Sequence, residues 1–146
     1  MKKLIITGHG QYASGLKSSL ELLAGPNDDL IFIDFPAELN EAGLKQQMEE
    51  AIQSVSRDDE ILFICDILGG TPYKNAAILS NDNDQFEVVA GCNLGSILEA
   101  VFQKETMSIV DLANSLVDSS KKYTVKFEKV RETQPVQTNS SFMDGI

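Results

Sequence analysis

Apolar residues fall along the chain in two rhythms. In one, short runs are apolar at almost every position: 2–7 around Leu4-Ile5-Ile6, then 30–35, 60–66 and 86–91. Runs of this kind mark strands covered on both faces, as in parallel sheets. In the other, apolar residues return every three or four positions, which is the period of a helix with one buried face. This pattern predicts helices over 11–24, about 40–56, about 73–80, about 94–103 and 108–120. Gly25-Pro26 stops the first. Leu44, Met48, Ile52 and Val55 stripe the second. Ser108 with Asp111 resembles a capping box before Ile109, Leu112, Ala113, Leu116 and Val117. The stretch 123–130 alternates apolar and polar, so it reads as a strand with one wet face or at a sheet edge.

The order β-α-β-α-β-α-β-α-α-β gives an α/β fold. We expect a doubly wound, mostly parallel sheet in the order 2-1-3-4, with helices on both faces and a C-terminal antiparallel edge strand. Residues 1–130 make one domain. Residues 131–146, polar and without period, read as a loosely ordered tail.

In such sheets ligands bind beyond the carboxyl ends of the strands, where the strand order reverses. Here that point lies between strands 1 and 3, which lead into Gly8-His9-Gly10 and Asp66-Ile67-Leu68-Gly69-Gly70-Thr71-Pro72. The strand-4 loop, Gly91-Cys92-Asn93, ends on the same rim. Topology alone therefore gathers His9, Asp66 and Thr71. His9 is the only histidine of the chain. It can serve as base or nucleophile, and a carboxylate on its second ring nitrogen would fix the tautomer. Asp66 is the candidate, although it can equally cap the following turn. Gly69-Gly70-Thr71 would bring backbone N–H groups and a hydroxyl to an anion at a helix N-terminus, or it is simply a tight turn. This combination suits reversible phosphoryl transfer to the imidazole. Cys65 beside Asp66 reads as core, because strand neighbours point to opposite faces. Cys92 stays unassigned.

A competing motif runs through the same stretch. Gly8-x-Gly10-x-x-Ala13 matches a relaxed dinucleotide fingerprint, with Asp34 ending the second strand where a ribose-binding acid belongs. That reading leaves the second glycine-rich loop without a purpose. The net charge of −10 disfavours nucleic acid and anionic membrane, and favours a protein partner with a basic face. Cys65 and Cys92, both in apolar runs, point to reduced thiols and a cytoplasmic setting. Neither a signal peptide, a zinc site nor a cofactor is expected.

Three motifs together give the chain a family likeness: Gly8-His9-Gly10, Asp66-x-x-Gly69-Gly70-Thr71-Pro72 and Gly91-x-Asn93-Leu94. Over about 1–130 the chain resembles the mannose-class enzyme IIA component of the bacterial sugar phosphotransferase system. The resemblance implies that His9 takes a phosphoryl group on Nε2 from phospho-HPr and passes it to a separate IIB protein, which serves a membrane IIC/IID complex. It implies that Asp66 orients the ring, that Thr71 lies beside the phosphoryl group, and that Gly10, Gly69, Gly70 and Asn93 line the phosphate or partner site. It also implies a homodimer exchanging the last strand, here about 123–130. Leu68 stands where many members have tryptophan, and Gly95 where many have proline. Both departures touch the rim where partners dock. A dihydroxyacetone-kinase-type phosphotransfer subunit and a phosphorylated regulatory module are the alternatives.

Overall fold

A computed structural model describes residues 1–131. Four strands, β1 (Lys2–His9), β2 (Leu30–Phe35), β3 (Glu60–Cys65) and β4 (Phe86–Ala90), form one sheet in the order β2-β1-β3-β4. All three pairings are parallel. The helices are α1 (Tyr12–Ala24), α2 (Glu41–Ser54), α3 (Thr71–Ser80), α4 (Leu94–Gln103) and α5 (Ile109–Tyr123).

Because side chains alternate across a strand, the sheet has two apolar faces. Leu4, Ile6, Leu62 and Ile64 pack with α1, α4 and α5. Ile5, Phe63 and Cys65 pack with α2 and α3. Each of these strand residues is fully buried, and a Leu, Ile or Phe in such a place contributes roughly 1.5–3 kcal/mol. That explains why the strand runs carry no polar alternation. The helix stripes find their core as expected: Leu44 and Met48 on α2, and Ile109, Leu112, Ala113 and Leu116 on α5, are buried. Ser108 caps α5 by accepting from the Asp111 N–H at 3.1 Å. At the amino ends of the strands, Lys104 is buried against Asp29 and Glu105, and Asp29 also holds Lys3. Burial pushes the Asp29 carboxyl up, but the bonds from Lys104 and Lys3 outweigh it and hold it below the ordinary carboxylate range.

Three boundaries differ from the sequence reading. β1 runs through His9, because Gly8 and His9 still pair with Asp34 and Phe35 of β2. α3 begins at Thr71, since Pro72 at the first positions of a helix has no N–H to leave unpaired. The expected antiparallel edge strand, about 123–130, does not form: among the described residues 124–130 pair with no strand. α5 continues to Tyr123, whose hydroxyl bonds Glu99 of α4, and the residues beyond it are exposed. The described sheet is therefore wholly parallel, and no strand among the described residues lies on the outer edge of β4. Apart from Arg131, the expected tail lies outside the described residues.

Candidate functional site

His9 ends β1 and Asp66 follows β3, the neighbouring strand, so the pair forms at the reversal of the strand order. Asp66 Oδ2 lies 2.6 Å from His9 Nδ1 and also accepts the His9 backbone N–H at 2.9 Å. Asp66 Oδ1 accepts the Ile67 N–H at 2.9 Å. Burial alone would raise the Asp66 carboxyl. The His9 N–H, the His9 ring and the Ile67 N–H more than offset that and hold it below the ordinary range. It stays ionised at neutral pH. A neutral imidazole with its proton on Nδ1, donated to Asp66, leaves the Nε2 lone pair free. The His9 side chain is 46% exposed, so reagents can reach it.

The ring is held on its other sides. Phe35 stands 5.7 Å away, tilted by 57°. The Gly10 N–H donates to the Phe35 carbonyl at 2.8 Å, with Gly10 at φ +58°, so the chain turns sharply after the histidine. Gly70 leaves room for the imidazole: a Cβ there would sit 2.8 Å from His9 Cε1. Gly69, at φ +79°, makes the turn that brings Gly70 to the ring. Ile67 and Leu68, on the same loop, are exposed apolar side chains.

Gly70 is also the N-cap of α3, and it has no side chain to cap with. Thr71 is the first residue of that helix, so its hydroxyl and the first-turn N–H groups sit one residue from the contact with His9. The other helices are closed at this end. Asn40, Asn93 and Ser108 cap α2, α4 and α5. At α1 the cap comes from β2: Asp34 Oδ1 accepts the Ser14 N–H at 2.9 Å. Among the described helices, α3 alone offers an uncapped N-terminus, where the helix dipole favours an anion. A nucleophilic ring nitrogen next to such a terminus can take up and release a phosphoryl group.

The structure thus brings together His9, Asp66, Gly10, Gly69, Gly70 and Thr71. Asn93 is placed differently. Its Oδ1 accepts from Ser96 N, and its Nδ2 donates to the Ser120 carbonyl and to Thr124 Oγ1. The amide is spent on capping α4 and tying it to the end of α5. Asp34, the acid of the dinucleotide fingerprint, fills the α1 terminus where a pyrophosphate would have to lie. Cys65 is fully buried and burial pushes its thiol up to about 12, so it is core. Cys92 is also buried, in the α1, α4 and α5 cluster. Among the described residues, no three His, Cys, Asp or Glu side chains gather to hold a metal ion. No described helix is long and apolar enough to cross a membrane.

Two residues were passed over in the sequence reading. Phe35, which flanks the ring, had a faint signal as the last residue of the second apolar run. Tyr12 had none beyond an aromatic three residues after the histidine. Its ring packs against Gly8, and its hydroxyl is buried without a partner among the described residues.

The chain is similar to known proteins over most of its length. The family described as PTS system fructose IIA component matches residues 3–117. The fructose-specific EIIA component of the PTS system of Bacillus subtilis is 33% identical over 116 residues, covering 80% of each chain. The crystal structure of phosphotransferase system component EIIA from Streptococcus agalactiae superposes with a TM-score of 0.79 at 31% identity, covering 86% of this chain and 97% of that one. The mannose/sorbose-specific IIA subunit from Enterococcus faecalis gives 0.82 at 25% identity, over 91% and 100%. With its family region running from β1 well into α5, the chain belongs to the fructose IIA component family of the sugar phosphotransferase system.

Proposed function

We propose that His9 is the residue through which this phosphocarrier works, and that Nε2 is the atom that carries the phosphoryl group. The observation behind this reading is the 2.6 Å bond from His9 Nδ1 to Asp66, which leaves Nε2 as the free nitrogen beside an uncapped helix. In the forward step Nε2 attacks phosphorus as the N–P bond of a donor phosphohistidine breaks. In the next step the new N–P bond breaks toward the acceptor. Asp66 holds the tautomer and steadies the positive charge that the ring gains. Thr71 and the N–H groups of the first turn of α3 receive the phosphoryl oxygens. Gly69 and Gly70 allow the close approach, and Gly10 turns the chain away so that the ring stays open. Asn93 fixes the rim rather than touching phosphate.

The donor in this proposal is phospho-HPr, and the acceptor is a IIB protein serving a membrane IIC/IID complex, with the carrier working in the cytoplasm. Exposed Ile67 and Leu68 offer apolar contact to both partners, and the net charge of −10 favours basic faces. The working form is a homodimer in which residues 124–130 pair with the β4 edge of the other copy. Val125, Phe127 and Val130 are exposed. The groove beside β4, where Phe86, Val88 and Val110 lie among polar residues such as Asn83, Asp84 and Glu87, is where such a strand would seat.

Incubation with labelled phospho-HPr and then with candidate IIB proteins tests the relay. The expected result is acid-labile label on His9 that moves on to IIB. Label that stays on His9 would indicate a regulatory module. Label that moves only to a dihydroxyacetone-kinase system would indicate that type of subunit.

A further inference from the structure

Tyr12 and Asp66 come together at Gly8, whose side-chain direction on β1 is opposite to that of its neighbour His9. The Tyr12 ring meets β1 there: a Cβ on Gly8 would stand 2.5 Å from Tyr12 Cδ1 and 2.8 Å from Asp66 Cβ. The tyrosine ring and the aspartate therefore converge on one point, and the missing side chain of Gly8 is what lets them meet. Beyond the ring lies the α1, α4 and α5 core, against which Tyr12 packs. The Asp66 carboxylate receives three hydrogen bonds, all from His9 and Ile67, and none from Tyr12. The Tyr12 hydroxyl has no partner among the described residues. Burial, and then the Asp66 charge, push it up to about 12, so it stays a neutral phenol.

From this we infer that Tyr12 is a positioning residue, whose ring closes the rear of Asp66 to water and so keeps the carboxylate committed to His9 Nδ1. The inference rests on His9 being the phosphoryl acceptor. Water behind the carboxylate would compete for its lone pairs and let it turn. The imidazole would then lose its single tautomer, and Nε2 would carry the proton part of the time. The ring, not the hydroxyl, does this, since the hydroxyl bonds no described residue. Gly8 is part of the device, because any side chain there would push the ring away from the aspartate.

The test is imidazole 15N NMR of the unphosphorylated full chain, together with the rate of phosphoryl acceptance from phospho-HPr, for Tyr12→Leu and Tyr12→Phe. The wild type should show one tautomer protonated at Nδ1. Tyr12→Leu should show a tautomer mixture and accept phosphate about tenfold more slowly, the scale of a small misplacement of a reacting group. Tyr12→Phe, which keeps the ring, should rescue both. A Leu variant with wild-type 15N shifts and rate would overturn the inference, and so would a Phe variant that fails to rescue. If Tyr12→Leu does not fold, Tyr12→Phe decides: loss of the single tautomer would overturn the inference. The NMR arm needs no donor, so a failure of His9 to accept phosphate sinks the carrier role alone.

Discussion

The helices α1 and α3 start in the same way and end up as opposites. Each follows a glycine-rich loop at the end of a central strand, and each has its N-terminus at the reversal of the strand order. On sequence grounds either could cradle an anion. At α1 the chain supplies its own anion: Asp34 accepts the Ser14 N–H and closes the terminus. At α3 the N-cap is Gly70, nothing caps the first turn, and the His9 ring lies against the glycine. The difference teaches that a glycine-rich turn before a helix is not itself a phosphate site. What matters is whether the fold leaves the terminus vacant and sets a reactive group beside it. Here one loop carries the nucleophile and the other carries the cradle.

The comparison can be broken at four points. The largest effect is expected for His9→Ala, which should abolish phosphoryl acceptance. The side chain is half exposed, so thermal unfolding should stay close to wild type. Asp66→Asn comes next. Its amide NH2 facing Nδ1 would favour the proton on Nε2, so acceptance should slow by on the order of 10²–10⁴-fold, as when an orienting aspartate is amidated in a hydrolase triad. Stopped-flow transfer from phospho-HPr would measure this. Gly70→Ala puts a methyl group 2.8 Å from His9 Cε1. It should displace the ring from α3 and slow acceptance by roughly 10–100-fold, with circular dichroism unchanged. The smallest effect on the chemistry is expected for Asp34→Ala. It uncaps α1 and should lower stability by about 0.5–2 kcal/mol in urea unfolding, while His9 still accepts phosphate. A loss of acceptance as large as that of Gly70→Ala would mean that the two termini are not opposites after all.

The frame of this fold was open to reading because burial on both faces of the sheet writes continuous apolar runs, and burial on one face of a helix writes stripes. The strand order then brought His9 to Asp66 across 57 residues. Features that depend on a particular neighbour were harder to see. Gly69-Gly70-Thr71-Pro72 looks like a turn along its whole length, yet Thr71 already belongs to the helix. The alternation of 123–130 asks for a partner strand that the described residues do not offer. Asn93 sits in a rim motif, but its bonding to Ser120 and Thr124 appears only when α5 packs beside α4. Tyr12 and Asp34 gain their roles from contacts across strands, which no local pattern records.

The central claim concerns one atom of one residue. The direct measurement is 15N–31P NMR of the full chain labelled on histidine and phosphorylated by phospho-HPr. The account predicts a single acid-labile phosphate with coupling to Nε2 of His9, while Nδ1 keeps its proton toward Asp66. Coupling to Nδ1, or phosphate on any other residue, would contradict it.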